Sequence, residues 1–265
     1  MGENQLWGQL MPNDIAAKSD HVDLTVYVPC YNEEKLILKT LDTIRQAASG
    51  FSFKYEVLVF DDGSKDRSAD LVREYIQKNH LEGQFELVSE GKNRGVGANY
   101  FRAAERGRGT YFIVFFGDNS EPVESMIKMF DLMGKADVII PYIDSRFRDT
   151  KFNSDHRGFL RRATSITYAS FVRFLSGHRL HYFNGFVMHR RENVLKNRVP
   201  ASGLGYQSEM LCKVLEDPNV TFLEVRVSCW SRESGMPTAF RLKNVISVAG
   251  SLWRIFSNHW FSPAR

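Results

Sequence analysis

The sequence predicts an α/β fold with a mostly parallel central sheet flanked by helices. Short apolar runs that suit buried strands alternate with segments whose apolar residues recur at helical spacing. The connections between them are short, which favours neighbouring strands that run in the same direction. Polar residues follow the first, second and fourth runs, and in such sheets ligands bind beyond the carboxyl ends of the strands. The pattern therefore indicates a ligand-binding domain.

Five strands and four helices alternate in the first half of the chain. The strands are short, rich in branched or aromatic apolar residues, and bounded by turn residues. The first helix also carries Glu33 and Glu34 in its predicted first turn, where carboxylates favour the helix dipole. The predicted strands are 24–28, 55–60, 85–88, 111–115 and 137–141, and the predicted helices are 33–48, 66–78, 95–106 and 121–133.

The pattern is weaker beyond Pro141. Apolar spacing predicts helices over 159–175 and 205–216, and an amphipathic helix over 238–260. Strands are predicted over 182–188 and 220–227. No repeat or linker separates a second domain, so we expect one domain.

Composition is that of an ordinary globular protein, with 43% hydrophobic and 25% charged residues. Cys30, Cys212 and Cys229 lack metal-ligand spacing, so we expect reduced, structural cysteines, which suits the cytoplasm. The first twenty residues lack the apolar core of a signal peptide. The most apolar segment, 245–256, contains Arg254 and falls short of the ~20 residues that span a bilayer. Any membrane contact is therefore expected at the surface.

Positive charge is concentrated in one part of the chain. Residues 145–198 hold twelve Lys or Arg and three acidic residues, against a net charge of +4 overall. This surplus favours a phosphate-bearing partner or an anionic membrane surface. A solvated helix face explains it equally well. Nucleic acid is a poor candidate, because the acidic strand ends would repel a phosphate backbone.

Five short blocks occur in order, most of them at predicted strand ends. They are PCYNEE from Pro29, FDDGS from Phe60, KNRGVGA from Lys92, NGF from Asn184, and the pair Arg232 and Gly235. Together they resemble the family 2 glycosyltransferases of GT-A fold, in particular the branch that transfers sugars to dolichyl or polyprenyl phosphate. The resemblance spans residues 24–235 and implies a GT-A (nucleotide-diphospho-sugar transferase) fold.

The resemblance also implies a division of the chain and a donor site. It implies an N-terminal extension (1–22), a nucleotide-sugar-binding half (23–142), an acceptor-binding half of the same domain (143–237) and a C-terminal amphipathic helix (238–265). Carboxylates suit base N–H groups and ribose hydroxyls, because charge-assisted hydrogen bonds are strong. Alternatively, Asp61 and Asp62 only cap the turn that follows them. The implied nucleotide-sugar-binding residues are Pro29, Tyr31, Glu33, Asp61, Asp62, Lys92, Gly95, Gly117, Asp118 and Arg232.

The metal position departs from the family's pattern. Relatives carry Asp-x-Asp after the fourth strand, whereas this chain has Phe116-Gly117-Asp118 followed by Asn119. Mg²⁺ commonly uses one or two carboxylates with phosphate oxygens and water. We therefore expect Mg²⁺ or Mn²⁺ at Asp118 and Asn119, with Glu121 as a further candidate ligand. Two alternatives stay open: metal-independent transfer, in which basic residues neutralise the diphosphate, and a non-catalytic nucleotide-sugar-binding protein.

Four residues are candidates for catalysis: Asp118, Glu209, His181 and Arg232. Arg232 would stabilise the negative charge that builds on the leaving diphosphate. A hydroxyl acceptor needs a general base, whereas a lipid phosphate is already ionised. His181 stands where the phosphate-acceptor branch has Asp, and it is either a base or a packed histidine. Glu209 is the better base candidate, unless it is a helix-surface carboxylate.

The resemblance implies an inverting glycosyltransferase that uses a nucleoside diphosphate sugar. The expected acceptor is a polyprenyl phosphate or lipid-linked molecule at the cytoplasmic membrane face, and the alternative is a soluble or saccharide hydroxyl. Basic and apolar residues interleave in the helix predicted over 159–175, which suits peripheral contact with lipid headgroups. The C-terminal helix is a second such element, a dimer contact or part of the core.

Overall fold

The fold is given by a computed structural model that describes residues 21–143, 159–200, 203, 205–228 and 242–261. Most of the predicted N-terminal extension, Cys229 and Arg232 lie outside these residues. Cys30 and Cys212 are buried thiols. The strands are β1 (Val22–Cys30), β2 (Tyr55–Asp61), β3 (Phe85–Ser89), β4 (Gly109–Val114), β5 (Val138–Tyr142), β6 (Met188–Arg190) and β7 (Phe222–Arg226).

Helices cover both faces of the sheet that these strands form. None of the helices in the described part of the chain is long and apolar enough to cross a membrane. They are α1 (Ile37–Ala48), α2 (Ser68–Lys78), α3 (Val96–Arg106), α4 (Val123–Leu132), α5 (Phe159–Ser176), α6 (Arg191–Lys196), α7 (Tyr206–Val214) and α8 (Leu242–Phe261).

The seven strands form one sheet in the order β3-β2-β1-β4-β6-β5-β7. The pairs β1–β2, β1–β4, β2–β3 and β5–β7 are parallel. Strand β6 runs antiparallel to both β4 and β5, so β4 and β5 point the same way. The prediction of a mostly parallel sheet is confirmed. The carboxyl ends of β1, β2, β4 and β5 consequently lie at one edge, which we call the carboxyl edge.

Apolar residues on the two faces of the sheet form two cores. In β1, Val26 and Val28 pack with α1, α2 and α4 on one face. Tyr27, between them, packs with α3 and the later helices on the other face. This two-sided burial explains why the first strand reads as a continuous apolar run rather than an alternating one.

Two predictions about the secondary structure were wrong. Helix α1 begins at Ile37, with no acidic residue in its first turn, because Glu33 and Glu34 form a separate turn that binds the segment before α2. The strand predicted over 182–188 is instead a loop that leads into β6 at Met188. This loop turns through Gly185 at a φ of 110°, a conformation that a strand does not use.

Candidate functional site

The turns after β1, β2 and β4 meet at the carboxyl edge. The backbone N–H of Asp62 donates to the carbonyl of Cys30 at 2.8 Å, which joins the first two turns. The N–H of Gly117 donates to the carbonyl of Pro29 at 3.2 Å, which joins the turn after β4. A Cβ at Gly117 would lie 2.9 Å from the same carbonyl oxygen, so this approach requires glycine. The structure therefore brings three of the predicted site segments together.

Side chains at the start of α2 and just before it fix the turn after β1. The N–H of Asn32 donates to Ser64 Oγ at 2.9 Å, and the N–H of Lys65 donates back to Asn32 Oδ1 at 2.7 Å. The N–H of Glu33 donates to Ser68 Oγ at 2.8 Å. This reciprocal bonding stabilises Asn32 at a φ of 55° and leaves the neighbouring Tyr31 ring exposed.

Asp61 and Asp62 are both buried, and protein donors surround their carboxylates. Asp61 accepts hydrogen bonds from the N–H of Ser64 at 3.1 Å and from Ser89 Oγ at 2.8 Å. Asp62 Oδ1 accepts from the N–H of Arg94 at 2.7 Å, and Oδ2 accepts from the N–H of Gly95 at 3.0 Å. These contacts favour the turn-capping role that the sequence left open for both residues.

The loop before α3 packs on the turn after β2. Gly63 lies so close that an added Cβ would be 3.3 Å from the backbone nitrogen of Asn93. Gly95 immediately precedes α3 and has a φ of 87°, which favours glycine. Lys92 is exposed on the same loop. The loop therefore presents a cation and a helix N-terminus beside the turn that carries Asp61 and Asp62.

The turn after β4 holds the three predicted metal ligands in different environments. Asp118 is partly exposed and accepts a hydrogen bond from the N–H of Ser120 at 3.3 Å. Asn119 Oδ1 accepts from Thr43 Oγ1 of α1 at 2.9 Å. Glu121 is buried and folds back onto the N–H of Phe116 at 3.2 Å. Burial, together with the charge of Asp118, raises the pKa of Glu121 to about 8.

The donor set around Asp118 fits a metal only in part. No group of three His, Cys, Asp or Glu side chains that could hold an ion occurs among the described residues. Mg²⁺ takes few protein carboxylates when phosphate oxygens and water complete its shell. Asp118, with the amide oxygen of Asn119 beside it, suits an ion that arrives with a phosphorylated ligand. Glu121 is turned inward and does not suit that role.

His181 is held at the carboxyl edge by two neighbours. Its Nδ1 lies 2.9 Å from Glu224 Oε2, and its backbone N–H donates to Glu224 Oε1 at 2.7 Å. Its ring stacks on Tyr142, at the end of β5, with ring centroids 4.5 Å apart. The imidazole is exposed rather than packed in the core. A carboxylate on Nδ1 fixes the orientation of an imidazole, as in sites where Nε2 does chemistry.

The segment with Asn184 and Gly185 is fastened to α7. Gln207 Nε2 donates to the carbonyl of Gly185 at 2.7 Å, and its Oε1 accepts from the N–H of Gly185 at 3.2 Å. Asn184 Oδ1 is buried and has no hydrogen-bond partner among the described residues. A buried acceptor without a partner is costly, so this oxygen is a candidate contact for a ligand or water.

Glu209 is buried and forms an ion pair. Its side chain is 3% exposed, and its two oxygens accept from Arg254 Nε at 2.6 Å and Arg254 Nη2 at 2.9 Å. A general base must contact the acceptor hydroxyl, whereas Arg254 occupies both oxygens of this buried carboxylate. The contact favours a structural role for Glu209, joining α7 to α8, over the predicted role as a base.

Part of the basic segment lies at the opposite edge of the sheet. Arg190 pairs with Asp137, just before β5, at 2.6 Å. Arg191 Nε donates to the carbonyl of Gly109, at the start of β4, at 2.9 Å. Arg198 pairs with Glu105. These cations bind the protein itself, so the surplus of positive charge does not form one ligand site.

Four side chains that shape the site were not predicted from the sequence. Ser68 could have been found, because it follows the quoted DDGS block and faces the N–H of Glu33. Gln207 could have been suspected from its place beside Glu209 in α7. Thr43 and Glu224 carry no local signal, since each acts on a residue more than forty positions away.

The chain is similar in sequence to proteins named as lipid-phosphate sugar transferases. It is 30% identical over 164 residues to the dolichyl-phosphate beta-glucosyltransferase of Dictyostelium discoideum, covering 59% of this chain and 50% of that protein. It is 25% identical over 171 residues to the undecaprenyl-phosphate 4-deoxy-4-formamido-L-arabinose transferase of Aeromonas hydrophila, covering 62% and 51%. The chain thus spans about half the length of these relatives.

Solved structures show the same fold. The mannosyltransferase PcManGT of Pyrobaculum calidifontis, in complex with GDP-Man and Mn²⁺, matches with a TM-score of 0.62 and 18% identity, over 92% of this chain and 66% of that one. TarS of S. aureus, in complex with UDP-GlcNAc, matches with a TM-score of 0.62 and 16% identity, over 91% and 68%. The predicted GT-A fold is therefore confirmed.

A family profile matches a longer part of the chain than any of the short sequence blocks. The profile described as glycosyl transferase family 2 matches residues 25–197, which is more than half of the chain. That range begins within β1 and includes the turns after β1, β2 and β4, as well as His181 and Asn184. The chain belongs to glycosyl transferase family 2.

Proposed function

We propose that this protein is an inverting glycosyltransferase that moves a sugar from a nucleoside diphosphate sugar to a polyprenyl phosphate or other lipid-linked acceptor. The observation that carries the proposal is the meeting of the turns after β1, β2 and β4 at one edge of a family 2 sheet. Ligands of parallel α/β sheets bind at this edge. The similar PcManGT and TarS structures hold GDP-Man and UDP-GlcNAc.

In this proposal the donor lies across the carboxyl edge. The exposed ring of Tyr31, next to Glu33, would contact the nucleoside. Asp61 and Asp62 would act by holding the turn and the loop that carries Lys92 and Gly95. Lys92 would bring positive charge to the diphosphate. Arg232 stays a predicted diphosphate ligand from the sequence.

Asp118, with Asn119 beside it, would hold Mg²⁺ or Mn²⁺ together with the donor's phosphates. The ion, when bound, would offset the negative charge that develops on the leaving diphosphate. Support comes from the partly exposed Asp118 carboxylate and from the metal in the similar PcManGT structure. The inward fold of Glu121 leaves Asp118 as the main protein ligand in this proposal.

A lipid phosphate acceptor needs no general base. Its ionised oxygen would attack the anomeric carbon, a new carbon–oxygen bond would form there, and the bond to the nucleoside diphosphate would break. This chemistry agrees with the burial of Glu209 in an ion pair, which keeps that carboxylate from contacting an acceptor. The relatives from Dictyostelium and Aeromonas are named for dolichyl and undecaprenyl phosphate acceptors.

A second candidate function is transfer to a soluble or saccharide hydroxyl. One observation favours it: Glu224 and Tyr142 orient the exposed His181 imidazole at the carboxyl edge. A hydroxyl must lose its proton, and an oriented imidazole is a common base for that step. The same geometry in a phosphate-acceptor enzyme would serve to bind the acceptor's phosphate.

Donor and acceptor panels test both functions. The purified protein is incubated with UDP, GDP, CDP and dTDP sugars, with and without Mn²⁺, and donor hydrolysis and thermal shift are followed. Dolichyl phosphate, undecaprenyl phosphate and free saccharides are then supplied as acceptors. We expect metal-stimulated turnover with a polyprenyl phosphate. Turnover with saccharides alone would select the second function, and binding without turnover on either acceptor class would contradict both.

A further inference from the structure

Helices α5 and α8 present an exposed aromatic surface on the outside of the protein. Phe174 of α5 is 73% exposed, and Trp253 and Trp260 of α8 are 65% and 58% exposed. Large apolar side chains clustered in this way mark an interaction site more often than a bare surface. We call this surface the aromatic face; it consists of Phe171, Phe174, Ile246, Trp253, Trp260 and Phe261.

The α8 part of the aromatic face is a regular stripe. Ile246, Trp253 and Trp260 follow one another at intervals of seven residues, which places them on one side of the helix. Ser251 and Ile255, on the other side, are buried. Helix α8 therefore carries large apolar residues on its outer side as well as on its inner side.

The aromatic residues of α8 contact one another through Phe256. The ring centroid of Phe256 lies 5.8 Å from that of Trp253 and 5.6 Å from that of Phe261. Trp260 Nε1 donates to the carbonyl of Leu175 at 3.2 Å, which fixes the end of α8 against the end of α5. The ends of the two helices therefore lie side by side, which brings Trp260 close to the end of α5 that carries Phe174.

The charge of these helices indicates the kind of partner. Neither α5 nor α8 contains an Asp or Glu residue. All 31 acidic residues of the chain lie outside these two helices. Helices that combine exposed Trp with Lys and Arg, and carry no acidic residue, suit the headgroup layer of a membrane. The cations of the two helices, counted from the sequence, are Arg161, Arg162, Arg173, Lys243 and Arg254, of which Arg254 is paired with Glu209.

We propose that the aromatic face docks the protein onto an anionic lipid surface. The alternative occupant, a second copy of this chain, would bring two helix pairs of the same positive charge together, which costs free energy. Anionic headgroups instead attract that charge while the aromatic side chains enter the boundary with the acyl chains. Charge complementarity therefore selects the lipid surface.

Docking at the aromatic face would also hold the candidate site at a fixed height above the membrane. Arg254 of α8 pairs with Glu209 of α7. Gln207, in the same turn of α7, binds Gly185, the neighbour of Asn184 in the candidate site. A chain of two contacts therefore joins α8 to the candidate site. The docking itself does not depend on the transfer reaction, so each can fail alone.

Vesicle sedimentation tests the docking. The vesicles are phosphatidylcholine alone or mixed with phosphatidylglycerol, without polyprenyl phosphate or nucleotide. We expect binding to the anionic vesicles that weakens as salt rises. Trp253→Ser combined with Trp260→Ser should weaken it about tenfold or more. The matched control is Phe222→Ser with Leu223→Ser, because these exposed apolar residues lie on β7 away from the aromatic face.

Two further measurements keep the result decisive if the tryptophan variant folds poorly. Brominated lipid should quench the tryptophan emission of the unmodified protein. Sedimentation equilibrium without lipid should give a monomer. Equal vesicle binding by the tryptophan variant and the control, or an absence of quenching, overturns the proposal. So does a dimer that the tryptophan variant dissociates. The tryptophan variant should still transfer sugar to an acceptor presented in detergent. Loss of vesicle binding can therefore be distinguished from failure of the proposed function.

Discussion

Asp62 Oδ1 accepts a hydrogen bond of 2.8 Å from the side-chain amide of Asn99 in α3. Both groups are buried, and the same carboxylate accepts from the backbone N–H groups of Arg94 and Gly95. One side chain thus anchors a whole loop and the start of the helix behind it. The sequence assigned this carboxylate to nucleotide binding. In the structure it anchors the loop that would face the nucleotide.

Asp62→Asn should loosen this loop. The substitution replaces one accepting oxygen with an N–H₂ group that faces other donors, so we expect a loss of about 1–3 kcal/mol in the free energy of unfolding. Affinity for a nucleotide sugar should fall as well, because the loop is less ordered. Urea denaturation and thermal shift measure the two effects. Asp70→Asn on the exposed surface of α2 is the control; a fall in affinity at unchanged stability would make Asp62 a direct ligand.

Asp118→Asn should remove transfer with little effect on folding. The side chain is partly exposed, and in our proposal it is the main protein ligand of the metal. We expect the transfer rate to fall about 10²–10³-fold and the stimulation by Mn²⁺ to disappear. Initial rates over a Mn²⁺ titration check this, with Asp131→Asn on α4 as the control. Full activity with retained Mn²⁺ stimulation would show that the ion binds elsewhere.

Glu209 and Arg254 should behave as one structural unit. Removing either partner leaves a buried or half-buried charge, so Glu209→Gln and Arg254→Ala should each lower the free energy of unfolding by about 3–5 kcal/mol. The double variant Glu209→Leu with Arg254→Leu should recover part of that loss. Chemical denaturation of the three proteins measures it. If Glu209→Gln is stable and inactive while Arg254→Ala keeps its activity, Glu209 is the base after all.

Glu224→Gln separates the two candidate functions. The substitution weakens the hold on His181 Nδ1, and loss of such an orienting contact typically costs about 10–100-fold. If His181 is a base, transfer to hydroxyl acceptors should fall by that amount. Transfer to a polyprenyl phosphate should keep its kcat, because that acceptor needs no base. Glu192→Gln on the exposed surface of α6 is the control.

His189 should make the protein less stable at acidic pH. Burial lowers the pKa of this imidazole from 6.5 to about 3. Between these values the unfolded chain binds a proton that the folded protein does not, so the free energy of unfolding falls as the pH falls from about 6.5, by at most about 1.4 kcal/mol per unit. His189→Met should show a shallower fall. Denaturation of the two proteins at several pH values gives the slope of the free energy of unfolding against pH. Because both proteins have the same carboxylates, a difference in slope reports His189, and equal slopes would contradict the assignment.

The first five strands could be predicted because their signal is local. The run predicted over 55–60, for example, is β2 at Tyr55–Asp61, and turn residues bound it on both sides. The meeting of the strand ends also follows from parallel pairing, which places all carboxyl ends at one edge. Fold and position of the candidate site were therefore accessible from the residues alone.

The remaining features depend on contacts between distant residues. Strand β6 has three residues, too few to show a period, and it exists because β4 and β5 flank it. Helical spacing placed Glu209 on a helix, but it could not show that Arg254, 45 positions later, would occupy both of its oxygens. The same holds for Glu224, which lies 43 positions from His181.

The place of β6 in the sheet has a consequence for biosynthesis. β5 lies between β6 and β7, and β4 meets β5 only through β6. While the ribosome is still making the segment before Met188, β4 has an open edge and β5 lacks both of its neighbours. Unpaired strand edges promote aggregation, so the nascent polypeptide passes through a vulnerable interval. The three residues of β6 pair the open edge of β4 and one edge of β5, and the other edge of β5 stays open until β7 is made.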